Sequence, residues 1–172
     1  MVVYFVPQEK KEAFLYNHAP EGYICPFCLL VQSIESDHLI TLPADIIYQD
    51  DHVMAFIGSH QWPNNRGHVI VIPAEHHENI YDLPLGLATK IHELARAVAL
   101  AMKGAYGCEG ISTRQHNEPG GYQEVWHYHL HVFPRYAGDH LYGSERARMP
   151  AEERAGYARK LRAELSDWKP VT

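Results

Sequence analysis

Long apolar runs are missing from this chain of 172 residues: none approaches the ~18–20 residues that would cross a bilayer. The opening residues, Met1 to Lys10, lack the charged-then-apolar order of a secretory signal, so a cytoplasmic location without a membrane partner is expected. Cysteine is scarce. Three residues, two of them in Cys25-Pro26-Phe27-Cys28, make no disulfide framework, and in a cytoplasmic protein such a pair points to a metal or redox site. Positive charge is not in excess either. The formal net charge is −6 without a long basic run, which argues against a nucleic-acid partner held by phosphate neutralisation. Repeats, low-complexity tracts and obvious linkers are absent too, and the length suits one core. What the chain has in quantity is histidine, 13 residues. That side chain serves proton transfer near neutral pH and metal ligation, so its placement matters.

Residues 1–24 show no clear period and read as an N-terminal extension with room for a short helix. Strands are expected around Ile46-Ile47-Tyr48 and over Val53–Ile57, joined as a hairpin through the polar Gln49-Asp50-Asp51-His52. The turn-rich Trp62-Pro63-Asn64-Asn65-Arg66-Gly67 leads into a β-branched strand, His68–Ile72, stopped by Pro73. Asp82-Leu83-Pro84 opens a helix with Asp82 as cap. Its buried face is Leu87, Ile91, Leu94, Val98 and Met102, at spacings of three and four, and Gly104 and Gly107 close it. Gly110–Thr113 and Val125–Phe133 are further strands, with the loop Asn117–Gly121 between them. A helix rich in Ala, Glu, Arg and Leu runs from Pro150 to about Leu165. The fold class is α+β, an antiparallel sheet with a long central helix and an additional C-terminal helix.

In His127-Tyr128-His129-Leu130-His131, strand alternation sends Tyr128, Leu130 and Val132 into a core. The three imidazoles then line the opposite face, about 6.6 Å apart. Such a row suits phosphoryl chemistry: one ring attacks, and its neighbours bind phosphate oxygens or protonate the leaving group. A metal cluster or a merely alternating polar face is the bland alternative. The apolar opposite face and the Gly-rich loop upstream weigh against it.

His127 to Phe133 resembles the His-φ-His-φ-His-φ-φ signature of the histidine triad (HIT) superfamily, with Tyr128 a less usual φ residue. The likeness extends to the following Pro134-Arg135 and to the loop His116–Trp126 upstream. It also takes in Gly67-His68-Val69-Ile70-Val71-Ile72-Pro73 with His76, so that it covers roughly residues 25–135. It implies a HIT-like fold over 25–136, a C-terminal helical extension over 137–172 packed on the same domain, and a place in the Hint/Fhit-like bacterial hydrolase branch.

The resemblance implies that His129 attacks the α-phosphorus of a nucleotide derivative, giving a nucleotidyl-histidine that water hydrolyses. Its other ring nitrogen would be held by a backbone carbonyl. His131 would donate to phosphate oxygens or the leaving group, Gln123 would bind phosphate, and backbone amides near Gly120 and Gly121 would add donors. His68 would support the triad from beside it or hold a structural hydrogen bond. Either His116 or Asn117 stands for the family's phosphate-contacting asparagine. Where the family carries an acidic ribose ligand this chain reads Phe56-Ile57-Gly58-Ser59-His60, without a carboxylate, which leaves two alternatives: Ser59 or His60 substitutes, or the substrate is not an ordinary ribonucleotide. Transferases of the superfamily often carry glutamine at the third triad position; retention of His131 favours hydrolysis. Acting on phosphoramidates, dinucleoside polyphosphates or similar nucleotides is the leading expectation. A nucleotidyltransferase or phosphorylase and a nucleotide-binding regulatory protein with little turnover are the alternatives. DNA-end repair lacks an appended zinc finger or basic surface.

Bacterial relatives carry a zinc site that Cys25, Cys28, His76 and His127 resemble, with His77 the alternative to His76. Four protein ligands make such a site closed and structural. A thioredoxin-like redox pair would need another fold context, and Cys108 reads as a small buried residue. The family is commonly homodimeric, and the helix from Pro84 to Met102 is where a second copy would be expected, with a wholly internal packing role explaining its apolar face equally well.

Overall fold

A computed structural model describes residues 16–171; most of the N-terminal extension, including any short helix there, lies outside the described residues. The elements in order are α1 (Pro26–Val31), β1 (Ile46–Gln49), β2 (Val53–Ile57), β3 (His60–Gln61), β4 (Val69–Pro73), α2 (Leu85–Tyr106), β5 (Gly110–Gln115), β6 (Leu130–Arg135), β7 (Ala147–Arg148) and α3 (Ala151–Glu164). Five strands form one antiparallel sheet in the order β1-β2-β4-β6-β5. β3 pairs with β7 separately.

The central strands are covered on both faces, and side-chain alternation decides what covers each. Val53, Ala55 and Ile57 of β2, Val69 and Val71 of β4, and Leu130 and Val132 of β6 pack with Ile91, Leu94, Val98 and Met102 of α2 and Ala158 and Leu161 of α3. The intervening Met54, Phe56 and Ile72 face the other way, onto Cys25, Phe27 and Leu30 of α1. The imidazoles alternating with Leu130 and Val132 therefore open on the α1 face, opposite the long helix.

Three local expectations are corrected. Asp82 does not cap α2: Pro84 stands at its N-cap position and no side chain bonds there. Gly104 does not end the helix. It lies inside α2, where a Cβ would meet the Glu164 carboxylate at 2.6 Å, so its role is close packing against α3. Gly107 alone ends it, at φ 62 with its N–H donating to the Lys103 carbonyl. β6 begins at Leu130, not Val125. His127 and His129 precede it, because Tyr128 N–H leaves the ladder to donate to the His77 carbonyl at 2.6 Å.

α3 is fastened by a buried ion pair. Arg154 Nε donates to Asp45 Oδ2 at 3.0 Å, and its remaining nitrogens donate to the carbonyls of Met149 at 2.7 Å and Ile40 at 3.0 Å. Both partners are out of water, with side-chain exposures of 2% and 0%. Arg154→Ala strands the Asp45 carboxylate and is expected to cost about 3–5 kcal/mol in urea unfolding. The double variant Asp45→Asn/Arg154→Leu is expected to recover part of that. A loss under about 1 kcal/mol in the single variant would contradict the anchoring role.

Candidate active site and adjoining metal-ligand cluster

β6 and the extended residues before it deliver His127, His129, His131 and Phe133 to one face. β4's entry delivers His68. His129 is buried, and its Nδ1–H donates to the His127 carbonyl at 2.7 Å. Nε2 is thereby left as an unprotonated nitrogen, and burial keeps the ring neutral by lowering its pKa to about 4. Its ring centroid lies 5.0 Å from that of His131.

His131 Nδ1 is 2.8 Å from His68 Nε2, so the two rings share one proton. His68 Nδ1 is buried without a partner. With the shared proton on His68 Nε2 the pair is neutral and His68 Nδ1 needs no donor or acceptor of ideal geometry. His131 then carries its own proton on Nε2, where it is a donor. Gly58 is required beside this pair, since a Cβ there would meet His68 Cε1 at 2.7 Å and Nδ1 at 2.8 Å.

Burial lowers the His68 pKa to about 3 and that of His131 well below the usual range. Between about pH 3 and 6.5 the unfolded chain therefore binds a proton at His68 that the folded chain refuses, and His131 acts in the same direction. Stability from both is fully present above about pH 6.5 and is lost as the pH falls, at about 1.4 kcal/mol per pH unit per group. Thermal melts are expected to decline from near pH 6.5; a plateau reaching down to the carboxylate range would contradict this.

His116 and Asn117 part company. His116 Nδ1–H donates to the Gly121 carbonyl at 2.5 Å, and its ring centroid lies 5.9 Å from that of His131. Asn117 instead accepts from Ile80 N–H at 2.9 Å and bonds Gln115. Gln123 sits at the base of the loop. Its amide donates to the carbonyls of Glu78 at 2.6 Å and Val125 at 3.0 Å, and its oxygen accepts from Glu118 N–H at 2.9 Å. Gly120 and Gly121 lie in a 3-10 turn, Pro119–Gly121, where Gly121 N–H donates to the Glu118 carbonyl. Glu118 and Tyr122 flank that turn at φ 61 and 64, conformations that cost L-residues energy. Ser59 Oγ is 3.1 Å from His60 Nδ1, while its carbonyl accepts from Met149 N–H.

At the other end of the row, His127 turns into a cluster with Cys25, Cys28 and His76 whose ligand atoms lie within 4.8 Å of one another. His127 Nε2–H donates to the Pro73 carbonyl at 3.0 Å, leaving Nδ1 facing the sulfurs of Cys25 at 3.4 Å and Cys28 at 3.6 Å. His76 Nδ1 is 3.2 Å from Cys28 Sγ. A tetrahedral zinc with Zn–S and Zn–N bonds of ordinary length requires edges of about 3.6 Å, which these separations approach. The Cys25 thiol is held well below its usual range by the hydrogen bond from Cys28 and by His127 and His76, so a thiolate is already favoured. His76, not His77, joins the cluster; His77 Nε2 is buried without a partner.

Sequence reasoning missed Trp62, Arg114 and Arg146. The Trp62 ring packs edge-on to His68 and Phe133, and both guanidinium groups lie within 6.0 Å of it. Arg114 reaches the site because β5 pairs it with His131. Arg146 arrives on the segment leading to β7. Pairings so distant in sequence leave no local signal.

The HIT domain family model matches residues 41–138. The "Protein hit" of Bacillus subtilis is 31% identical over 120 residues, covering 70% of this chain and 77% of the relative. The crystal structure of a Zn-bound histidine triad family protein from Mycobacterium smegmatis superposes with a TM-score of 0.68 at 29% identity, covering 83% of this chain and 93% of that one. An adenylylsulfatase of Arabidopsis thaliana is 25% identical over 124 residues, 72% of this chain and 58% of the relative. No helix among the described residues is long and apolar enough to cross a membrane. Family model, relatives and fold agree with the arrangement of the three imidazoles: the chain belongs to the histidine triad (HIT) family.

Proposed function

We propose that the protein is a nucleotide hydrolase that cleaves at the α-phosphate through a nucleotidyl-histidine on His129. The observation that carries this is the His129 Nδ1–H bond to the His127 carbonyl, which fixes the tautomer and leaves Nε2 free to attack. The Nε2–phosphorus bond forms as the bond from phosphorus to the leaving group breaks, and the leaving atom takes that electron pair. His131, with its proton on Nε2, supplies a proton there. Water then displaces His129 and gives up its proton to His131, releasing a nucleoside monophosphate and returning both rings to their starting state. His116, with Nδ1 committed to the Gly121 carbonyl, packs its ring edge-on to that of His131. Gln123 acts by holding the loop that carries Gly120 and Gly121. The adenylylsulfatase relative supports a substrate with a leaving group on an adenylyl phosphorus.

Cys25, Cys28, His76 and His127 would hold a zinc ion, whose chemistry there is that of a closed structural centre. Their work is to fix α1 against the residue whose carbonyl orients His129.

The test is release of nucleoside monophosphate from phosphoramidates, dinucleoside polyphosphates and adenylyl sulfate by zinc-replete protein. Turnover in water alone is expected. Turnover only on addition of inorganic phosphate or another acceptor would make the protein a nucleotidyltransferase, and an intact panel under both conditions would overturn nucleotidyl chemistry.

A further inference from the structure

Among the described residues Arg114 has no carboxylate partner. It stands half-buried beside His131, with its guanidinium carbon 5.2 Å from the Trp62 ring centre and 4.9 Å from that of Phe133. Its Nε is buried with no hydrogen-bond partner. A buried donor on a cation costs free energy unless something accepts from it. No group among the described residues does, so Arg114 is not explained there as a structural tie.

Arg146 lies 6.0 Å from the same Trp62 ring, and the two cations repel one another. Arg146 has a partner, Glu124, whose two oxygens accept from one of its terminal nitrogens at 2.5 and 2.7 Å. That pair is exposed, 40% and 62% for the two side chains, and is therefore easily exchanged. Arg146 is brought to the site by this chain's own C-terminal segment, beyond the residues that match the family model. Asp139 fixes the start of that segment by accepting from Arg135, Asn65 and Leu141 N–H, and pairing of β7 with β3 fixes its end.

We propose that Arg114 and Arg146 form a subsite for an anionic leaving group attached to the nucleotidyl phosphorus, with Glu124 as the counter-ion that such a group displaces from Arg146. This deepens, and rests on, the nucleotidyl reading above. Phe133 and Trp62 hold the Arg114 fork beyond His131, on the side away from the Cys25 cluster. A phosphoryl or sulfuryl oxyanion there meets the charge-assisted donors that Arg offers best. When the phosphorus–oxygen bond breaks, the departing oxyanion gains charge while facing these two cations. Neutral amine leaving groups gain nothing from them.

The experiment is calorimetric binding of AMP, ADP and adenosine 5′-phosphosulfate to zinc-replete protein in the His129→Ala background, where the bonds stay intact. ADP is expected to bind about tenfold to a hundredfold more tightly than AMP. That ratio should collapse toward one in Arg114→Gln, fall partly in Arg146→Gln, and rise in Glu124→Gln. The phosphosulfate arm distinguishes the two oxyanions: a ratio to AMP that tracks the ADP ratio means both are taken, and a ratio near one means phosphoryl only. An ADP preference that is missing in the parent, or undiminished in Arg114→Gln, overturns the subsite while leaving the nucleotidyl reading standing. Absence of all nucleotide binding removes both.

Discussion

His129→Ala is expected to lower release of nucleoside monophosphate by at least ~10⁴-fold, with the fold unchanged. A residue that forms the covalent bond cannot be replaced by its neighbours, and removing such a nucleophile typically leaves only the contribution of binding and oxyanion contacts. His131→Gln keeps a donor in place of the ring but loses the hydrogen bond to His68 and the proton that the ring supplies, so a smaller loss of ~10²–10³-fold is expected. Steady-state kinetics on the best substrate of the panel measures both. Equal losses in the two variants would mean that neither ring is distinguished as nucleophile. A His129→Ala enzyme with more than a tenth of parental activity would end the covalent mechanism.

Removal of the metal is the second large effect. Cys25 and Cys28 lie at the start of α1, and His127 lies two residues before the nucleophile, so the cluster joins a short helix to the catalytic segment across more than 100 residues. Chelation, or Cys28→Ser, is expected to lower Tm by about 10 °C or more, corresponding to roughly 3 kcal/mol or above in a chain of this size. The parent should hold about one zinc per chain and the Cys28→Ser variant far less, by plasma mass spectrometry. Activity should fall with zinc content, since the His127 carbonyl that orients His129 moves when its own ring is released. Protein purified without zinc whose Tm ignores chelation would contradict the structural centre.

The parts of this molecule governed by local rules were legible in the sequence. α2 shows its buried face through Ile91, Leu94, Val98 and Met102, and the β-branched run at β4 could hardly be another element. The alternation of His129 and His131 with Leu130 and Val132 held because it is a property of extended backbone, even though the ladder itself begins only at Leu130. Grouping of Cys25, Cys28, His76 and His127 was readable through family likeness alone, since nothing local relates Cys25 to a ring 102 positions away. Two residues show the limits. Gly104 resembled a helix stop because glycine usually is one; its place inside α2, against the Glu164 side chain of α3, depends on tertiary packing. Arg114 carried no local signal at all; only the register of β5 against β6 places it beside His131. His116 and Asn117 were indistinguishable for the same reason: which of two adjacent loop residues faces the triad follows from the turn at Pro119–Gly121 and the bond from His116 to the Gly121 carbonyl.

The most direct measurement is rapid-quench trapping of the protein during turnover, followed by intact-mass analysis and peptide mapping. A single nucleotidyl group bonded to His129, formed and lost at rates compatible with turnover and absent from His129→Ala, is the expected result. Turnover without any adduct, or an adduct on another residue, would contradict the mechanism proposed for this chain.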